Sequence, residues 1–397
     1  MIDVSQAESL IFVHSPLMGI TQSALENTHA EILRQNIIAD RDLPPFDRVA
    51  MDGIAIRFEA WQNGQRTFKI QSTQRAGEAP HTLQESTACI EIMTGAVLPI
   101  GSDCVIKVED LILEGQLATL SADARLKPGQ NIHRQGSDAK QGQILLSEGS
   151  PLGPLQWALA AAVGQTRLDV SQKPKCALIS TGDEIVPADQ LPLAHQIRGS
   201  NAWMMAAALK KSGFDAVSRH HFLDDQNELE TGLFNVLNSH DVLILTGGVS
   251  MGKYDFIPEI LQSLGVREVF YKIEQRPGKP MWFGIGPRGQ RVFGLPGNPA
   301  SASVCLFRYV LPSLFKSIGI EPVRQVATLA HAIQPLAKFT YFVPVTLTPS
   351  GARILAEQVM TQGSGDFHAI AHSQGFIELP PAQHSWPAGT EVALWRW

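Results

Sequence analysis

The run DVLILTGGVSMGKYD, residues 241–255, decides how this chain is read. Asp241–Leu245 is an apolar stretch of strand length, Thr246–Gly248 breaks it with a glycine-rich turn, and Asp255–Leu264 has helical spacing. A buried strand that enters a helix through glycines lets backbone N–H groups approach a phosphate, with the helix dipole favouring the anion. The plainer alternative is a tight connection in which glycines serve only turn geometry. The loop alone leaves both open.

Outward from this run the same texture repeats. Cys176–Ser180 reads as a strand, and Ser200-Asn201 caps an Ala/Met-rich helix that ends at Gly213. Val269–Ile273 reads as a strand, and Asn298–Gly319 as one long helix with Pro299 at its first position. Strands alternating with helices predict a doubly wound parallel sheet over 174–319. On either side the texture is different. Short β-like runs (Thr67–Gln71, Thr87–Met93, Cys104–Val108, Gln116–Leu120) make 46–139 a small β domain. It is inserted into a helical linker of 1–45 plus 140–173, in which residues 1 to about 40 and Pro154–Val163 read as helical. Residues 320–397 return to β texture at Val343–Leu347, Phe376–Leu379 and Glu391–Trp397, a C-terminal barrel-like domain. The predicted fold is thus a multidomain α/β protein.

Composition narrows the function. A net charge of -6 argues against a nucleic-acid binder, which needs a basic face. No apolar run approaches the roughly 20 residues that span a bilayer, and the first residues lack a signal-peptide pattern, so a cytoplasmic protein is expected. The four cysteines are scattered without a CxxC pair, which suggests neither a zinc site nor a disulfide framework.

Four strand-end loops carry the polar chemistry. Gly247, Gly248 and Ser250 form the glycine turn. Thr181-Gly182-Asp183-Glu184 follows the first strand; its carboxylates would repel a phosphate unless Mg²⁺ bridged them, or would simply cap the next segment. Gln275–Pro280 places Arg276 and Lys279 in a proline-stiffened turn, with Lys272 upstream. Gly294–Pro299, with Pro296 and Pro299, leads into a helix capped by Asn298. The β domain adds the polar tips Asp52, Thr94 and Asp138, and composition does not tell whether they share a cleft.

Seven motifs, LPPFDRVAMDG, IMTGA, STGDE, LTGGVSMGKYD, RPGKP, GLPGNPASA and QGSGDFHAIAHSQGFIELP, together resemble the MoeA family, which includes the gephyrin E domain, over essentially the whole chain. The resemblance implies a molybdopterin molybdenumtransferase. Such an enzyme inserts molybdate into adenylylated molybdopterin with Mg²⁺ and releases AMP, as a homodimer whose active site is shared between subunits. A molybdopterin adenylyltransferase would supply its substrate. By position, Asp52, Thr94, Asp138, Glu184, Asp224 and Asp255 would be catalytic, with Glu184 and Asp255 on the metal. Gly247, Gly248, Ser250, Lys272, Arg276, Lys279, Pro296, Pro299 and Ser364 would bind the pterin phosphate or molybdate. Four positions depart from the family pattern. Arg48-Val49 stands where Asn-Ser is usual, and Arg276 where some members carry lysine. Pro344 stands where the family commonly has an arginine that helps bind the oxyanion. Molybdate against tungstate therefore stays open, as does a non-catalytic pterin-binding or scaffolding homologue.

Overall fold

A computed structural model describes all residues except 249–256, 335 and 383. The chain divides into two compact units, Gln22–Asp169 and Met1–Thr21 with Val170–Trp397.

The larger unit is built on a six-stranded sheet in the order Val217–Phe222, Cys176–Thr181, Val242–Thr246, Arg291–Leu295, Trp282–Ile285, Arg267–Tyr271. The first four strands are parallel, as the alternating pattern predicts. Each of the last two runs antiparallel to its inner neighbour and extends the edge. Residues of opposite parity feed opposite cores. Leu178, Ile244 and Phe293 pack on one side with Met205 and Leu209 of the helix Asn201–Lys211. Ala177, Ile179, Leu243 and Leu245 pack on the other with Leu229 and Leu233 of the helix Gln226–Ser239. Strands buried on both faces explain the unbroken apolar runs.

Two helical expectations need correction. Residues 1–40 are not one helical region: the helix is Val4–Val13, started by a capping box in which Asp3 accepts from Gln6 N at 2.8 Å. Pro16 and Gly19 follow, and the chain continues as short strands and turns because each breaks helical continuity. The stretch Asn298–Gly319 is not uniformly α-helical either. Pro299–Cys305 is α-helix, Leu306–Val310 is π-helix, and Leu311–Ser317 returns to α-helix. Pro312 has no N–H and its ring opposes the carbonyl four residues back, at Arg308, so the ladder widens there.

The C-terminal strands close on themselves. Thr340–Ser350 pairs with Arg353–Gln358 and with Gly375–Leu379, while Gln325–Leu329 and Glu391–Arg396 complete the circuit. Val343, Val345, Ile377 and Leu394 fill the barrel. Phe342 and Phe376, of opposite parity, turn outward into the α/β core. A short strand, Gln275–Arg276, adds in parallel to Thr340–Tyr341 and so ties the cation turn to the barrel.

In the smaller unit six strands form a mixed sheet in the order Cys104–Lys107, Gly53–Ile56, Ala88–Ile92, Thr67–Gln74, Leu117–Leu120, Leu111–Glu114. Ile54, Ile56, Phe68 and Ile106 pack one face, while Ala55, Ile92 and Val105 pack the other. The helix Pro154–Ala162 lies where its spacing predicted it. Among the described residues no helix is long and apolar enough to cross a membrane.

Candidate functional site

Among the described residues of the larger unit, one cavity of about 1090 Å³ and another of about 990 Å³ gather the candidate residues. The first lies at the carboxyl ends of the parallel strands, the position open α/β sheets use for ligands. Glu184, Gly247, Gly248, Pro296 and Pro299 line it, as do Thr181 and Asn201. Two glycines are required there. Gly182 has φ +128°, and a Cβ on it would stand 2.4 Å from Glu184 Oε2, so only glycine lets that carboxylate fold back over the strand end. At Gly247, φ +92°, a Cβ would stand 2.9 Å from the backbone oxygen of Thr181, which has no room to yield. The side-chain oxygens Thr181 Oγ1 and Asn201 Oδ1 are buried without a hydrogen-bond partner among the described residues. Unpaired buried polar atoms are rare and mark places where a ligand or water completes the set. Neither residue stands out in the sequence, since Thr181 ends a strand and Asn201 reads as part of a helix cap.

The second cavity brings together Arg276, Lys279, Pro296 and Ser364, with Pro344 in its wall. The cation turn is held from beneath by Gln275, which is 1% exposed. Its Nε2 donates to Pro277 O at 3.1 Å, and Tyr309 OH donates to its Oε1 at 2.5 Å. Arg276 and Lys279 themselves are exposed to the cavity, and the Lys279 ammonium lies 5.4 Å from the Phe339 ring centroid. A turn fastened to buried groups loses little freedom when an anion binds. Asn298 does not cap its helix with its side chain; its Nδ2 instead donates to Ser364 Oγ at 2.9 Å. The stronger local demand is to hold the 361–365 loop, and Ser364 O also accepts from Ala300 N at 3.2 Å. The two cavities share Pro280, Pro296 and Asn298 as a common wall.

Other candidates lie elsewhere. Lys272 lines neither cavity: its backbone adopts φ +69°, and its ammonium sits 4.4 Å from the Tyr271 ring. Asp224 also lies off both cavities, its N–H donating to Asp183 Oδ1 at 3.1 Å. Ser250 and Asp255 fall outside the described residues. Among the described residues there is no group of three or more His, Cys, Asp or Glu arranged to hold a metal.

In the smaller unit Asp52 and Thr94 meet. Asp52 Oδ1 accepts from Thr94 N at 2.7 Å and Thr94 Oγ1 at 2.8 Å, and these two bonds hold its carboxyl below the ordinary aspartate range. Asp138 stands on a separate tip, 2.7 Å from His133 Nε2. Arg48 approaches His133 Nδ1 at 3.1 Å; since a guanidinium only donates, Nδ1 accepts and the Nε2 proton goes to Asp138.

Comparison with known proteins accounts for this arrangement. Three family profiles match in order: the MoeA N-terminal region (domain I and II) over residues 2–164, a probable molybdopterin binding domain over 177–316, and the MoeA C-terminal region (domain IV) over 326–397. This chain belongs to the MoeA family. A Synechocystis relative of the family named molybdopterin molybdenumtransferase is 38% identical over 400 residues and covers 100% of both chains. One of that name from Synechococcus elongatus is 35% identical, covering 95% of this chain and 94% of its own. The crystal structure of a molybdopterin biosynthesis MoeA protein from Pyrococcus horikoshii superposes with a TM-score of 0.82 at 28% identity, covering 100% of this chain and 99% of that one.

Within the MoeA fold the departing residues have clear local roles. Pro344 shares the parity of Phe342, hence its place in the cavity wall, and its carbonyl accepts from Val359 N at 2.8 Å. Arg48 orients His133 toward Asp138.

Proposed function

We propose that this chain is a molybdopterin molybdenumtransferase. It binds adenylylated molybdopterin, captures molybdate and hydrolyses the phosphoanhydride with Mg²⁺ as molybdenum enters the dithiolene, releasing AMP. The observation that carries this reading is the common wall of two chemically unlike cavities. One has glycines, a carboxylate and two side-chain oxygens unpaired among the described residues; the other has two cations and a hydroxyl. A substrate with phosphates beside an oxyanion-accepting centre needs such neighbours. The name borne by the Synechocystis relative supports the same reading.

Molybdate is a doubly charged tetrahedral oxyanion. Arg276 and Lys279 match its charge, the Arg276 fork can take two oxygens, and Ser364 offers a hydroxyl. The sulfur ligands come from the substrate, because no cysteine is a ready thiolate. Burial pushes Cys89, Cys176 and Cys305 up to about 12 and Cys104 up to about 11. Mg²⁺ commonly binds through one or two carboxylates and substrate phosphates, so the exposed Glu184 carboxylate over the strand end fits it. With Asp255, Glu184 would hold the ion, whose chemistry is to neutralise phosphoryl charge. Asp52, kept ionised by Thr94, suits orienting a water; Thr94, Asp138 and Asp224 are assigned supporting roles. Gly247, Gly248, Pro296 and Pro299 shape the phosphate end, and Ser250 and Lys272 are assigned to anion binding by their places in the sequence motifs. The reaction runs in a cytoplasmic homodimer, supplied by a molybdopterin adenylyltransferase.

A second reading, a pterin-binding homologue without turnover, draws on Pro344, which puts a neutral ring in the oxyanion cavity. One assay separates them. Purified protein with adenylylated molybdopterin, Mg²⁺ and micromolar molybdate should release AMP in a molybdate-dependent manner. Lys279→Ala should raise the molybdate concentration for half-maximal release by about tenfold, the value of one charge-assisted hydrogen bond. Pterin binding with no molybdate-dependent AMP would establish the second reading instead.

A further inference from the structure

The first cavity has an outer end that none of the roles above uses. Trp203, in the first turn of the helix Asn201–Lys211, is 56% exposed although Met205 and Leu209 of the same helix are buried. Arg219, on the edge strand Val217–Phe222, holds its guanidinium carbon 3.9 Å from the indole centroid, well within cation–π range. Both residues line the cavity. Gly247 and Gly248 line the same cavity, and the strand that carries them lies two strands further into the sheet. Two residues before Trp203, Asn201 Nδ2 donates to Gly297 O at 2.7 Å. That bond fixes the carboxamide and leaves its buried Oδ1 without a donor among the described residues. A buried acceptor is costly unless a ligand supplies the missing hydrogen.

Resting on the reading above, we infer that Trp203, backed by Arg219, is a stacking platform for a fused nitrogen heterocycle of the ligand, and that Asn201 Oδ1 accepts one of the ligand's N–H or O–H hydrogens. Purine and pterin share the required chemistry, a flat bicyclic ring bearing N–H donors. Arg219 occupies one indole face and fixes the ring plane, which leaves the other face for the heterocycle. Phosphates on the same ligand then reach Gly247 and Gly248, which line the same cavity.

The test is equilibrium binding of AMP, of neopterin phosphate and of inorganic pyrophosphate to the full-length protein. Trp203→Ala should weaken one of the two heterocycles about tenfold, in line with base–aromatic stacking, and leave pyrophosphate unchanged. Which of the two weakens identifies the ring. Trp203→Phe should recover most of the loss, and Arg219→Gln should give an intermediate one. Wild-type affinity of Trp203→Ala for both AMP and neopterin phosphate would overturn the inference alone. A wild-type protein that binds neither would overturn the transferase reading and this inference with it.

Discussion

The four cysteines show how one residue type is settled by its surroundings. Cys89, Cys104, Cys176 and Cys305 all lie in apolar cores, and loss of water around the sulfur raises each thiol. Near pH 8 a thiol raised to about 12 is ionised only to the order of 10⁻⁴, and the thiolate is the reactive form. Native protein should therefore incorporate no iodoacetamide in a mass-spectrometric assay, while the chain in denaturant incorporates four labels. Rapid labelling of even one native thiol would contradict the burial described here. The same logic governs Asp52, where two hydrogen bonds from Thr94 favour the charged form without any burial. Neither effect is visible in a residue's immediate sequence neighbours.

At the scale of elements, the π-helical stretch Leu306–Val310 carries a buried charge. Arg308 is 1% exposed; it donates to Glu378 at 2.8 Å on the barrel strand and to Glu8 at 2.7 Å on the N-terminal helix. Glu8 also pairs with Arg324. Burial works against the Arg308 charge, but Glu378, Tyr309 and Glu8 outweigh it and leave the guanidinium more firmly protonated. Three elements distant in sequence are joined by one side chain. Arg308→Ala would leave two carboxylates facing a void, and breaking a buried pair from one side typically costs about 3–5 kcal/mol. Urea unfolding of the larger unit's transition should show a loss of that size; a change below about 1 kcal/mol would mean the ion pairs are solvated. Lys316 and Glu321, by contrast, pair at 3.5 Å on the surface and should be dispensable.

For the whole molecule the division into units matters most. Gln22–Asp169 is continuous in sequence and has its own cores on both faces of its sheet. A domain of about 150 residues buries roughly 70% of the surface its unfolded chain exposes, enough to fold without help. Residues 22–169 expressed alone should melt cooperatively and show dispersed amide resonances. The complementary unit is built from two separate stretches, Met1–Thr21 and Val170–Trp397. Val4, Ala7 and Ile11 of its first helix pack in the same core as Phe293 and Phe342, so removing residues 1–21 should destabilise the unit. A free 22–169 fragment without cooperative melting would show that its sheet depends on the rest of the chain.

Sequence alone determined the alternation over 174–319, because strands buried on both faces must be uniformly apolar and their crossover helices must be capped. It also marked the glycine turn and the cation turn, since special backbone conformations and prolines leave local signatures. It placed three of the five barrel strands and passed over Gln325–Leu329 and Arg353–Gln358, whose mixed polarity reflects half-exposed positions. It read the first 40 residues as helical from spacing, whereas Pro16 and Gly19 end the helix early. Only the tertiary structure decided that Ser364 meets Asn298 across 66 residues, and that Asp52 closes on Thr94 across 42. Only it showed that Thr181 and Asn201 keep oxygens beside the glycine loop that are unpaired among the described residues. The reason is physical: propensity and periodicity act over a few residues, while a cavity is made where distant segments pack and fail to fill the space between them.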